Sequence, residues 1–304
     1  MNKEKERSDF LSDETDDFML DWITWSPGKN FSAQNTVYHY YKGEDVQRVF
    51  TRDKIVFRMA EAATFDDKME GKAAEIYYDL ALEELLNEGK LSENDFFQLS
   101  NIGVPKTALY MYPKTKDCYC SKNEESQEYI ICFSAEKDSR YMFDHYVKGD
   151  SGYCVEFYTL ELEELQNVSM DNHARITLLP VLYGKEVVEH LKEKILEIVS
   201  KPQRKKHAKT YIETLLHYIQ FSAKRSKYAK EKEIRLVVML PKKSKKTLPN
   251  ISFPPKENNK KFIFFEATRN IYRNISPDPR NALEKNKTMN EFLRSNNYSE
   301  METV

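Results

Sequence analysis

Apolar and polar positions change period repeatedly along this chain, and the changes mark its elements. Residues 1–30 hold no convincing period, although Phe18, Leu20, Trp22, Ile23 and Trp25 would suit a docking helix or strap. Asn35 to Tyr41 is β-branched and aromatic after a turn-prone lead-in, which predicts a strand. A helix-like segment follows from Gly43, with Val46, Val49 and Phe50 on one face, and Ile55 to Met59 reads as a short strand. Lys72 to Asn87 carries Ala and Leu at helical spacing. Ser92-Glu93-Asn94-Asp95 opens a second helix as far as Gln98.

Pro105 to Lys122 reads as a turn-rich region, and Tyr129 to Ser134 as a strand buried on both faces. Ser139 to Val147 is predicted helical, Tyr153 to Phe157 and Ile176 to Tyr183 extended, and Val187 to Val199 an amphipathic helix ending near Pro202. A long helix is expected from His207 to about Lys230, with Tyr211, Leu215, Tyr218 and Ile219 on its buried side. Ile234 to Leu240 is a strong strand, Lys242 to Asn259 a Lys/Pro/Asn loop, and Phe262 to Phe265 the last strand. Helices and strands alternate irregularly, without a glycine-rich strand-to-helix turn, GxGxxG or GxxxxGK[ST]. The pattern therefore predicts an α+β fold with mixed, mainly antiparallel sheets and flanking helices. Residues 31–281 are expected to form one domain, between an acidic extension (1–30) and a polar tail with a weak helix (282–304).

Composition narrows this picture. With 304 residues, 40% hydrophobic and 12% aromatic, the chain can bury a sizeable core. No apolar stretch reaches the roughly 20 residues of a membrane-spanning helix, and the charged N-terminus lacks a secretory apolar core. A cytoplasmic protein with no membrane partner is the expectation. Cys118, Cys120, Cys132 and Cys154 lack zinc-site spacing, so they are expected to be reduced thiols and no metal site is assigned. Net charge is −2, yet Lys201 to Lys246 holds 15 Lys and Arg against 3 Glu. Such a run is a solvated helix face or a nucleic-acid surface.

Four segments hold groups that can do chemistry. In the first strand, alternation sets His39 and Tyr41 on one face and Tyr38 and Tyr40 on the other. Asp66, Asp67 and Glu70 crowd a turn before a helix, where capping explains them. Cys132-Phe133-Ser134 is followed by Phe143-Asp144-His145-Tyr146, whose Phe143 and Tyr146 share a helical face. Finally Glu231, Glu233 and Arg235 alternate where a helix meets a strand, as a surface pairing or as groups facing a cleft.

In this order the four segments resemble the domain of unknown function 2971 family of bacterial proteins. That family has a Tyr-His-Tyr-like strand, a Phe-x-Asp-Pro-x-Glu turn, a Cys-Phe-Ser strand, a Trp-x-x-Tyr helix with a Gly-hydrophobic strand, and Glu-x-Glu-x-Arg. The resemblance runs from about Val37 to Phe265. Lys68 stands where the family has Pro, and Phe143 and Tyr228 replace tryptophans.

An early strand His, an aromatic middle segment and a late Glu are also similar to the three-part site of ADP-ribosyltransferases, which implies that fold and NAD as substrate. By this analogy Glu233, or Glu231 as second choice, stabilises the ribose cation formed as nicotinamide departs. His39 would hold the adenosine-side ribose, and Tyr146, or else Tyr40, would stack on nicotinamide. Arg235 would steer a phosphate or hold Glu233, and Ser134 would support the glutamate. The implied acceptor is a nucleic acid or a protein, and the implied role that of a toxin or phage-defence effector, with a neutralising antitoxin protein as a further partner. Two other readings compete: a non-catalytic nucleic-acid-binding or interaction module, and a hydrolase of NAD or nucleic acid. A metal nuclease would rest on Asp66, Asp67 and Glu70 alone.

Overall fold

The computed structural model describes residues 35–64, 70–105, 107–115, 118–148, 151–162, 165, 175–242, 250–255, 261–281 and 283–301. Asp66 and Asp67, the Cys118 and Cys120 side chains and residues 1–34 lie outside the described part, as does most of the Lys242–Asn259 stretch. The rest is a mixed α+β structure around one curled antiparallel sheet of ten strands.

Strand β4 (Cys118–Ser134) is the spine of that sheet. One edge of β4 pairs with β9 (Glu233–Pro241) from Ser126 to Ser134, and β9 pairs in turn with β6 (Arg175–Pro180). The other edge is shared. Strand β3 (Thr107–Thr115) pairs with its first half, β2 (Lys54–Glu61) at Tyr129 and Ile130, and β1 (Thr36–Lys42) at Ser134. Beyond β1 lie β5 (Gly152–Tyr158) and β12 (Tyr272–Pro277); beyond β2 lie β11 (Phe262–Thr268) and the short β10 (Ile251–Ser252). The helix α1 (Gly43–Val49) joins β1 to β2 and plants Val46 and Val49 in the core between them.

The two faces of the sheet are covered differently. On one face Ile131, Phe133, Phe57, Phe157, Ile234 and Ile263 form the largest core. On the other, Val237, Met239, Ile130 and Leu179 pack against Tyr218 and Phe221 of α7 (Ala208–Ser222). Further along this second face, Tyr40 and Cys154 pack against Met142, Phe143 and Val147. These last belong to the short α4 (Arg140–Met142) and the π-helical turn Phe143–Val147. Gly152 is required here, since a Cβ would stand 2.4 Å from Val147 Cγ1. A separate helical core joins α2 (Glu70–Asn87), α5 (Lys185–Ser200) and α7, with α3 (Glu93–Leu99) capped by Ser92 as its sequence predicts.

Three expectations are corrected. The turn-rich region 105–122 is a β-hairpin, because β3 and β4 satisfy each other's backbone groups in a continuous ladder. The helix expected from His207 to Lys230 stops at Ser222; the chain then forms β8 (Ala223–Lys224), paired with β7 (Leu182–Tyr183), and a 3₁₀ turn, Ser226–Glu231. The tail forms its expected helix, α8 (Leu283–Ser295), but is no appendage, since it buries Met289, Leu293, Tyr298 and Met301 in the largest core. Strand β12 lacks a strong alternating pattern and was not anticipated from sequence. Among the described residues no helix is long and apolar enough to cross a membrane.

Candidate functional site

The second face of the sheet has two covers, α7 over β4, β9 and β6, and the 140–147 segment over β1 and β5. Polar residues fill the seam between them. Tyr38 pairs with Ser134, and Ser134 with Glu233, so one row across β1, β4 and β9 carries these three side chains on this face. Strands stand about 4.8 Å apart, so the row is roughly 10 Å long.

Four charges lie at its β9 end. Lys224 Nζ donates to Glu231 Oε2 at 2.6 Å and to Glu233 Oε2 at 2.7 Å. Arg235 grips Glu233 in a fork, Nε to Oε1 at 2.7 Å and Nη2 to Oε2 at 3.3 Å, while its Nη1 donates to the Phe221 carbonyl at 3.0 Å. The side chains of Glu231, Glu233, Lys224 and Arg235 are 7%, 4%, 11% and 2% exposed. Two cations and two anions balance, which is what makes such burial tolerable.

Local backbone explains how they meet. The end of α7 hands the chain to β8, and the 3₁₀ turn brings it back to β9 within nine residues of Lys224. Lys232 takes the left-handed conformation (φ 43°) that closes the turn, and Ala135 N donates to its carbonyl at 2.7 Å. Gly184 (φ 55°) lets the β7–α5 corner press on the turn, as a Cβ there would stand 1.9 Å from Ser226 Oγ. Tyr183 receives the Glu233 N–H on its hydroxyl at 2.8 Å.

The carboxylates are not equivalent. Burial alone would raise the pKa of Glu233, but the charges of Arg235 and Lys224 outweigh it and hold the group well below the usual carboxylate range. Burial raises the pKa of Glu231, helped by the Glu233 charge and opposed by Lys224 and by a hydrogen bond with Tyr146. Lys224 stays charged because Glu233 and Glu231 overcome its burial. The Cys132 thiol hydrogen-bonds Glu233, and burial with that negative neighbour pushes its pKa well up, so it is no thiolate nucleophile.

Most of the residues singled out from sequence meet at this seam. Ser134 is fully buried; its Oγ donates to the Glu231 carbonyl at 2.8 Å and accepts from Glu136 N, so it holds the backbone of Glu231 rather than a carboxylate. Tyr40 is a structural anchor, with its hydroxyl bonded to Glu136 O and Ser139 N and its ring edge-on to Phe143. Tyr146 borders the site and remains 46% exposed. His39 does not join them. It lies on the opposite face with Tyr41 (4.2 Å between ring centroids) and Phe133 (5.8 Å), and its Nδ1 bonds the Cys132 carbonyl at the β4 edge left open between β2 and β1. The sheet itself separates His39 from Glu233.

Lys224 and Tyr183 were missed. Lys224 counted as one cation in a basic run on a helix expected to continue, although the apolar spacing of α7 stops after Phe221. Tyr183 carries no sequence signal for its role. Among the described residues no cluster of His, Cys, Asp or Glu is arranged to hold a metal ion. Glu70 opens α2, and its side chain lies outside the described part.

Fold and seam thus define an α+β protein with a charge-balanced, tyrosine-bordered carboxylate pair. The chain is similar to the family described as Protein of unknown function (DUF2971), which matches over residues 142–236, from the end of α4 into β9. No curated protein and no solved structure matches the chain.

Proposed function

We propose that this protein transfers ADP-ribose from NAD to an acceptor, with an ADP-ribosyltransferase-like fold and its chemistry at the Glu231–Glu233 seam. One observation carries the reading. Three motif-bearing segments, distant in sequence, run as adjacent strands, with Tyr38, Ser134 and Glu233 in one register. Of the three-part pattern, the late glutamate and the aromatic meet at this seam, where Glu231 borders Tyr146, whereas its histidine, His39, lies on the opposite face.

The geometry favours a division of labour between the two glutamates. Both oxygens of Glu233 are held by Arg235 and Lys224, which suits an anchor. Glu231 has one ammonium partner and borders the exposed Tyr146, so it is the group we assign to face the ribose. The bond from C1′ to the nicotinamide nitrogen breaks, the electron pair leaves with nicotinamide, and the carboxylate meets the developing cation. Its raised proton affinity also suits it to take the acceptor's proton. Tyr146 offers a ring for the cationic nicotinamide. His39, on the far face, has no part in this scheme.

The test uses purified full-length protein, NAD labelled on its adenylate phosphate, and cell extract as acceptor source. Glu231→Gln should lower label transfer about 100- to 1000-fold while lowering the melting temperature less than Glu233→Gln does. Glu233→Gln should lower both activity and melting temperature. Absence of nicotinamide release by the wild type, or wild-type transfer by Glu231→Gln, would end this reading.

A further inference from the structure

The basic run from Lys201 to Lys246 is continuous in sequence but divided in space. Its first cluster lies on α6 (Pro202–Lys206), where Arg204 bonds Glu197 at 2.6 Å and Lys205 bonds Asp95 at 2.8 Å. The 15 residues of α7 then intervene, roughly 22 Å of helix. At its far end the Ser226–Glu231 turn presents a second cluster beside the carboxylate pair.

There Arg225 donates to the Tyr228 hydroxyl at 3.3 Å, and Lys227 Nζ lies 4.6 Å from the centre of that ring. Lys227 and Lys230 are exposed. Next to the turn, Tyr141 stacks on His145 at 4.0 Å, and Tyr146 is nearly half exposed. Cations and aromatic faces thus alternate around one end of the seam.

Resting on the ADP-ribosyl-transfer reading, we propose that this lip binds single-stranded nucleic acid and that an unpaired base is the acceptor. Cations in such a lip neutralise backbone phosphates, and exposed tyrosine rings stack bases without regard to sequence. A paired base keeps its reactive atoms inside the duplex, whereas an unpaired one reaches the seam at little cost. In the transfer, a nitrogen or oxygen lone pair of the base bonds to C1′ as the bond to nicotinamide breaks. The proton displaced from the base goes to Glu231, and nicotinamide leaves neutral.

The decisive measurement is fluorescence anisotropy of labelled oligothymidylate with the full chain, without NAD, between about 50 and 200 mM salt. The strand should bind more tightly than a matched duplex. Lys227→Glu/Lys230→Glu should weaken binding at least tenfold at the lower salt and reduce the salt slope by about 2. The charge-matched Lys201→Glu/Lys206→Glu, at the two ends of α6, should leave that slope unchanged. No strand binding, equal duplex binding, or equal loss in both double variants would overturn the proposal. So would label transferred to protein in an extract stripped of nucleic acid. Binding needs no NAD, so its failure leaves the transfer reading standing, while failure of nicotinamide release leaves the binding result intact.

Discussion

Where β1, β4 and β9 run side by side, the two faces of one sheet handle buried polarity in opposite ways. On the seam face four full charges share short bonds, and each carboxylate is charge-assisted. On the other face the polar groups avoid charge. His39 bonds a backbone carbonyl, and burial lowers its pKa to about 4, so it is neutral near pH 7. The Tyr41 hydroxyl is buried without a hydrogen-bond partner. The difference lies in how each face compensates burial, one by opposed charges and the other by neutral groups. The neutral imidazole packs against Phe133 and Tyr41, whereas the ionised groups of the seam are buried beside the half-exposed Tyr146.

Removing Lys224 should break the contrast most severely. Lys224→Met leaves Arg235 as the one cation for two buried carboxylates, with Glu231 losing its ammonium partner, and should cost about 3–5 kcal/mol at pH 7, read by urea unfolding. Without the ammonium the Glu231 pKa, already above its unfolded value, rises further, while Arg235 still holds Glu233. The folded state then holds extra protons, and the deficit should shrink as pH falls. A deficit that stays constant with pH, or a variant as stable as the wild type, would mean that the seam charges are not coupled as described.

The opposite face should respond to acid with the other sign. A histidine whose folded pKa is lowered from 6.5 to about 4 is protonated more readily when unfolded, so its contribution is lost as pH falls from about 6.5 to 4. His190, also lowered to about 4 by burial, adds to the same slope. His39→Gln retains a donor for Cys132 and removes the titration, so melting temperature should fall less steeply with acid in the variant. Identical profiles would place His39 in water. The smallest effect is expected from Tyr41→Phe, which deletes a buried hydroxyl without a partner. It should be neutral or stabilise by up to about 1 kcal/mol, and a clear loss of stability would reveal a missed bond.

Much of this was legible beforehand. Strands β1, β5 and β9 and helices α2 and α5 follow from runs of β-branched or periodic apolar residues, which report burial directly. The expected alternation of Tyr38 and Tyr40 against His39 and Tyr41 is also what β1 adopts. Hairpin β3–β4 was hidden because its polar residues gain their order from cross-strand bonds rather than from an apolar period. The C-terminal α8 buries only Met289 and Leu293 along its length, too sparse a stripe to declare its docking.

By itself, then, the sequence determined the elements with an apolar period, the α+β class and the residue types able to do chemistry, because burial writes a local period into those segments. It also singled out Ser134, Tyr146, Glu231, Glu233 and Arg235, which meet at the seam. Only the tertiary structure decided which face each strand presents to its neighbour. Register is set by pairing between segments about a hundred residues apart, as Ser134 with Glu233. That pairing put His39 behind the sheet and brought Lys224, a cation from the end of a shortened helix, between the two glutamates.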